Sequence, residues 1–104
     1  MQILNRRHLG DRWPANAVWV GRPTPLGNPF VIGRDGSREE VIARYREWLE
    51  ARIRARDPAV LTAMAGLRED SSLVCVCAPE PCHAEVIREA WLKHFRDGIV
   101  VRPA

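Results

Sequence analysis

The most reactive side chains of the chain are concentrated in one short segment. All three cysteines and one of the three histidines fall within the nine residues from Cys75 to His83. The apolar run at residues 73–76 predicts a buried strand that ends in this segment, and a helical pattern begins at about Pro81. In open α/β sheets, ligands and chemistry gather where the carboxyl end of a strand leads into a helix. The segment therefore predicts a functional site.

Zinc binding is the first chemistry that these residues suggest. Cys75 and Cys77 alternate onto one face of the predicted strand, and Cys82 and His83 follow at the helix start. Three thiolates and an imidazole are ordinary donors for tetrahedral zinc. Because consecutive residues of a helix point about 100° apart, Cys82 and His83 are not expected to converge easily on one ion. A catalytic site with three protein ligands and a bound water fits the sequence as well as a four-ligand site does.

A reactive thiol is the second possibility, with Cys82 and His83 as the candidate catalytic residues. The helix dipole and the free backbone N–H groups at a helix start would favour the Cys82 thiolate. The same angular argument makes His83 a poor base for its neighbour, and Cys75 or Cys77 could act as a resolving thiol. Buried cysteines also serve as small hydrophobes. That interpretation is preferred for Cys75 and Cys77 alone, whereas the whole cluster favours a site.

A loop rich in glycine and proline, at residues 22–29, is the second candidate site. It follows a short predicted strand at residues 17–20. Arg22 could hold an anion such as phosphate, and Gly27 permits a positive φ or a close approach to a ligand. Asn28 before Pro29 favours a fixed turn, so a purely structural turn is equally consistent with the loop alone. The preferred prediction is one pocket that both segments form at the carboxyl edge of a sheet.

Composition limits the class of protein. A chain of 104 residues with 46% hydrophobic residues is expected to form a single domain over residues 1–104. The sequence shows no apolar stretch near the roughly 20 residues that span a bilayer and no signal-peptide pattern, so no membrane partner and a cytoplasmic location are expected. The net charge of +3 comes mostly from arginine. It is compatible with a nucleotide or nucleic-acid partner but does not require one, and a GC-rich genome is the slightly preferred explanation of the arginine content.

Helices and strands are predicted to alternate along the chain. Ser37 and Glu40 form a capping box before an amphipathic helix, and Asp57 with Pro58 marks a second helix start. The last helix is predicted to run from about residue 81 to residue 97 with Gly98 as its C-cap, followed by a strand at 99–101. A further strand is predicted at residues 2–4. This order predicts a small single-domain α/β fold with a mostly parallel sheet flanked by helices.

Several motifs of the chain together resemble a family known only as domain of unknown function 4326, which occurs in phages, prophages and bacteria. They are residues 20–33 (VGRPTPLGNPFVIG), 37–42, 45–49 and 75–83, with Asn5-Arg6-Arg7 as an N-terminal signature. Val76 departs from the tryptophan expected between the cysteines, and Ala84-Glu85 departs from the more usual Gly-Asp. The resemblance implies one compact domain with a shared site and brings no established activity.

These observations predict a small phage-type or bacterial domain that binds or acts on a nucleotide-like ligand or another anionic small molecule, with zinc as the candidate cofactor. The alternative is a non-enzymatic interaction module whose Cys/His cluster is a structural metal site or plain core. Solvent access separates the two, because an active site needs at least one cluster side chain exposed in a concave pocket.

Overall fold

The computed structural model describes residues 1–77 and 80–96, and within them three strands form one parallel sheet. The strands are β1 (Gln2–Asn5), β2 (Ala17–Trp19) and β3 (Ser72–Cys75). β3 lies in the centre, with β1 and β2 paired parallel on either side of it. Asn5 is opposite Cys75, and Trp19 is opposite Val74. All four residues of β3 are buried, as expected for the central strand of a covered parallel sheet.

Four helices accompany the sheet in the described residues: α1 (Arg6–Leu9), α2 (Arg38–Arg54), α3 (Pro58–Ala65) and α4 (His83–His94). The Ser37 hydroxyl accepts from the Glu40 N–H at 3.2 Å, and the Glu40 carboxylate accepts from the Ser37 N–H at 3.0 Å. The Asp57 side chain accepts from two N–H groups at the start of α3. Both helix starts predicted from the sequence are thus confirmed. The predicted α/β class with a parallel sheet is confirmed as well.

The core lies between the sheet and the helices, with α2 and α4 packed against each other. α2 buries Tyr45 and Leu49, and α4 buries Ile87 and Trp91. Trp48 is partly buried and stacks on Tyr45 with ring centroids 5.6 Å apart. In each helix the two buried residues named lie four apart, on one face of the helix.

The structure differs from the expectations at several element ends. α1 was not predicted, because four residues are too few for a periodic pattern; the Asn5 side chain caps it by accepting from the Arg7 N–H at 2.8 Å. α4 begins at His83, two residues after the predicted start at Pro81. The predicted cap at Gly98 and the strand at 99–101 lie outside the described residues. None of the described helices is long and apolar enough to cross a bilayer.

Candidate functional site

The carboxyl ends of the three strands open onto one pocket of about 270 Å³. Arg6 follows β1, Arg22 comes three residues after β2, and Cys77 comes two residues after β3. All three residues line the pocket, and Arg38 from the first turn of α2 joins them. Parallel strands end at the same edge of a sheet, so the topology alone gathers these three segments.

The structure brings most of the predicted site residues together at this pocket. Its lining includes Arg22, Asn28, Cys75, Cys77, Cys82 and His83. Gly27 is not part of the lining. A Cβ at Gly27 would lie 3.0 Å from both the Cα and the N of Arg22, so this glycine allows two backbone segments of the loop to pack closely. It does not adopt the positive φ that the sequence left open.

Hydrogen bonds of Asn28 and Leu26 connect the loop to α2. The Asn28 amide donates to the Val41 carbonyl at 3.3 Å, and its oxygen accepts from the Phe30 N–H at 2.9 Å. The buried Tyr45 hydroxyl donates to the Leu26 carbonyl at 2.6 Å. Burial raises the pKa of Tyr45, so the phenol keeps its proton and its role as a donor. The loop is therefore held in place by side-chain contacts, and Asn28 contributes mainly through them.

Cys82 and His83 are in contact, although the sequence had indicated that His83 would be a poor base for its neighbour. The Cys82 sulfur lies 3.4 Å from His83 Nδ1. The 100° argument applies only inside a helix, and Cys82 is the N-cap of α4, with an extended backbone at φ −145° and ψ 154°. The Glu85 carboxylate accepts from the Cys82 N–H at 2.9 Å and holds this cap in position.

The contacts of His83 fix its protonation. His83 Nε2 lies 2.7 Å from the Val20 carbonyl oxygen, which can only accept, so Nε2 carries the proton. Burial lowers the pKa of His83, and the charge of Arg22 lowers it further, against the opposing effect of the Val20 hydrogen bond. In the neutral ring, Nδ1 is then free to accept from the Cys82 thiol. The ring also packs edge-on against Tyr45, with centroids 5.1 Å apart.

Cys82 itself is a buried thiol. Only 2% of its surface is exposed, and it belongs to the hydrophobic core together with Cys75. A hydrogen bond with Cys75 and burial both raise the pKa of Cys82, and they outweigh the bond to the Ala84 N–H, which lowers it. The helix start alone had favoured a thiolate, and the surroundings of Cys82 reverse that preference.

Cys77 differs from the other two cysteines. It is half-buried and lines the pocket, and the Arg38 guanidinium hydrogen bonds to its sulfur, which raises the pKa of Arg38. Arg38 is further held by an ion pair with Glu80 at 3.0 Å and by donation to the Pro81 carbonyl at 3.1 Å. Of the three cysteines, Cys77 is therefore the one that is partly exposed in a concave pocket.

The residues described here do not form a ready zinc site. Within residues 1–77 and 80–96, no group of three or more His, Cys, Asp or Glu side chains is arranged to hold a metal. Cys82 and His83 are adjacent, and because the Nε2 of His83 is bound to a backbone carbonyl, only its Nδ1 could reach a metal. A third ligand from Cys75 or Cys77 would require these side chains to rearrange.

Sequence reasoning missed several residues that line the pocket. Arg38 was not singled out as a site residue, and Arg6 appeared only within a family signature. The apolar wall formed by Trp19 and Phe30 was not assigned to the site. A usable signal existed for Arg6, because it lies two residues after the strand predicted at residues 2–4, near the edge of the sheet where the site was expected.

Comparison with known proteins identifies the family. The family model described as "Domain of unknown function (DUF4326)" matches residues 3–93. The "Uncharacterized 12.4 kDa protein in nrdA-td intergenic region" of Enterobacteria phage T4 is 33% identical over 87 residues, covering 81% of this chain and 75% of the phage protein. No solved structure gives a significant match. The chain therefore belongs to the DUF4326 family, as the motifs at residues 20–33 and 75–83 had indicated.

Proposed function

We propose that this domain binds a small anionic ligand of the nucleotide type in the pocket at the carboxyl edge of its sheet. The observation that carries the proposal is the set of three guanidinium groups, from Arg6, Arg22 and Arg38, around a pocket whose other walls include Trp19 and Phe30. Guanidinium groups bind phosphate in a bidentate manner. Aromatic faces stack on planar bases. The two kinds of wall therefore match the two halves of a nucleotide.

Arg22 is the arginine best suited to hold a phosphate. Its side chain is exposed, and no described carboxylate lies within ion-pair distance of it. Its charge already acts inside the pocket, where it lowers the pKa of His83. Arg38 is different, because its ion pair with Glu80 neutralises part of its charge and fixes its side chain in the wall of the pocket.

Arg6 and Trp19 offer a surface for a planar ring. The Arg6 guanidinium carbon lies 5.3 Å from the centroid of the Trp19 ring, and both residues line the pocket. The pocket volume of about 270 Å³ is slightly below the roughly 300–1,000 Å³ usual for ligand sites. That size favours a ligand no larger than a single nucleotide.

Calorimetric titration of the protein with a nucleoside, the matching nucleoside monophosphate and inorganic phosphate tests the proposal. We expect the nucleoside monophosphate to bind more tightly than the nucleoside alone or inorganic phosphate alone. The Arg22→Gln variant removes the charge but keeps the backbone carbonyl that accepts from Trp19 Nε1. It is expected to weaken binding of the monophosphate by about tenfold to a hundredfold, the value of a charge-assisted hydrogen bond.

The matched control is Arg54→Gln, since Arg54 is an exposed arginine near the end of α2 and is not part of the pocket. Its affinity for the monophosphate should equal that of the unmodified protein. An equal loss of affinity for the monophosphate in both variants would refute the proposal. A failure of all three compounds to bind would refute it as well.

Zinc is a separate hypothesis for the same site. Cys82 and His83 supply an adjacent pair of donors, and Cys75 or Cys77 would complete the set after rearrangement. Bound zinc would supply Lewis-acid chemistry or structural stability. Elemental analysis of freshly purified, untagged protein tests this: about one zinc per chain, with thiols protected until a chelator is added, would support it. Metal-free protein would reject it.

A further inference from the structure

The positive charge of the chain is concentrated at its beginning. Residues 1–22 contain four arginines and a single acidic residue, Asp11, whereas the remaining 82 residues carry twelve basic and twelve acidic side chains. The whole formal charge of +3 therefore resides in the first fifth of the sequence. Such an asymmetry is typical of a segment that contacts a polyanion.

The arginines of this segment are available to a ligand. Arg6, Arg7, Arg12 and Arg22 are all exposed, and none of them forms an ion pair with a described carboxylate. Several arginines later in the chain are paired, as Arg46 is with Glu89. The charge asymmetry of the sequence thus corresponds to unneutralised guanidinium groups.

Aromatic rings extend from the pocket into the same segment. Trp19 lines the pocket, and the Trp13 ring lies 6.5 Å from it, centroid to centroid. Trp13 is 38% exposed, and the Gly10 carbonyl accepts from its Nε1 at 3.0 Å, which fixes the ring. An exposed tryptophan held in one orientation, next to an exposed arginine, is the combination that single-stranded nucleic acids stack on.

We propose that the nucleotide bound in the pocket belongs to a single strand of nucleic acid, whose neighbouring nucleotides lie along Arg7, Arg12 and Trp13. This inference rests on the proposed function, because it identifies the larger ligand of which that nucleotide is a part. Successive nucleotides of a stacked strand rise by about 3.4 Å. Rings 6.5 Å apart can therefore contact nucleotides of one short strand. A paired duplex would leave no free base face for Trp13 or for the pocket.

Fluorescence anisotropy with a labelled single-stranded DNA of about twelve nucleotides, and with an RNA of the same sequence, tests the inference. We expect at least one of them to bind more tightly than the mononucleotide, with an affinity that falls as salt rises because phosphate contacts release counterions. Trp13→Ala and Arg12→Gln are each expected to weaken binding of the oligonucleotide roughly fivefold or more while leaving mononucleotide affinity unchanged.

Arg54→Gln is again the control, since it removes an equal charge far along the chain from this segment. Arg12→Gln keeps the test decisive if Trp13→Ala disturbs the local structure, because Arg12 is exposed. Oligonucleotides that bind no more tightly than the mononucleotide would overturn the inference and leave the proposed function intact. An oligonucleotide affinity that neither Trp13→Ala nor Arg12→Gln changes would also overturn the inference and leave the proposed function intact. Failure of the mononucleotide itself to bind would overturn both.

Discussion

His83 Nε2 donates to the Val20 carbonyl at 2.7 Å, and this bond joins the start of α4 to the end of β2. Val20 is fully buried, and its own N–H donates to the Val74 carbonyl of β3 at 3.1 Å. The residue after it, Gly21, begins the turn that carries Arg22 into the pocket. The imidazole of His83 thus connects the cysteine-bearing start of α4 to the loop that carries Arg22, the candidate phosphate-binding residue.

Replacement of His83 by alanine should destabilise the fold. The substitution leaves the Val20 carbonyl without its hydrogen-bond donor, which should lower the free energy of unfolding by about 1–3 kcal/mol. It also leaves a cavity beside Tyr45, which should lower the free energy of unfolding further. His83→Gln can still place an N–H near the position of Nε2 and should recover part of the stability. Urea denaturation followed by circular dichroism measures both variants. The exposed His8→Ala is the control, and a loss in His8→Ala as large as that in His83→Ala would contradict the assignment.

The stability of the protein should depend on pH through His83. Burial lowers its pKa in the folded state from the ordinary value of 6.5, so below that pH the unfolded chain binds the proton more readily. The free energy of unfolding is therefore expected to fall as the pH drops from about 6.5 through the lowered pKa. Urea denaturation at a series of pH values measures this. His83→Gln lacks the group, and parallel pH curves for the two proteins would refute the prediction.

The local features of the fold were predictable because the residues that determine them are close in sequence. Ser37 and Glu40 are three residues apart, and their reciprocal capping needs no information from the rest of the chain. The carboxyl edge of the sheet was likewise predictable as the meeting place of Arg22 and Cys77, because alternating helices and strands imply parallel strands, whose carboxyl ends lie at one edge.

The chemistry inside the pocket was not predictable in the same way. The contact between Cys82 and His83 depends on the extended backbone of an N-cap, and the helix begins two residues after its predicted start. The contact between Arg38 and Cys77 joins residues 39 positions apart, on the first turn of α2 and beyond the end of β3. The hydrogen bond with Cys75 and burial together reversed the thiolate preference of Cys82, and both are properties of the assembled core.

Removal of the Tyr45 hydroxyl should loosen the loop that forms one wall of the pocket. Tyr45→Phe leaves the buried Leu26 carbonyl without its donor and is expected to lower the free energy of unfolding by about 1–3 kcal/mol. Because the same loop carries Arg22 and Asn28, the affinity for a nucleoside monophosphate should fall as well. Urea denaturation and calorimetric titration measure the two effects. An unchanged stability would show that the hydrogen bond contributes nothing measurable.

Cys77 should be the first of the three cysteines to react with a small alkylating reagent. It is half-buried in the wall of the pocket, whereas Cys75 and Cys82 are 1% and 2% exposed. Brief treatment of the native protein with iodoacetamide, followed by peptide mass spectrometry, should therefore label Cys77 alone. The other two cysteines should become labelled only in denaturant, and Cys77→Ser should abolish the rapid labelling. A nucleoside monophosphate that occupies the pocket should slow the reaction. Equal labelling of all three cysteines in the native state would contradict both the buried positions of Cys75 and Cys82 and the distinct place of Cys77 in the pocket.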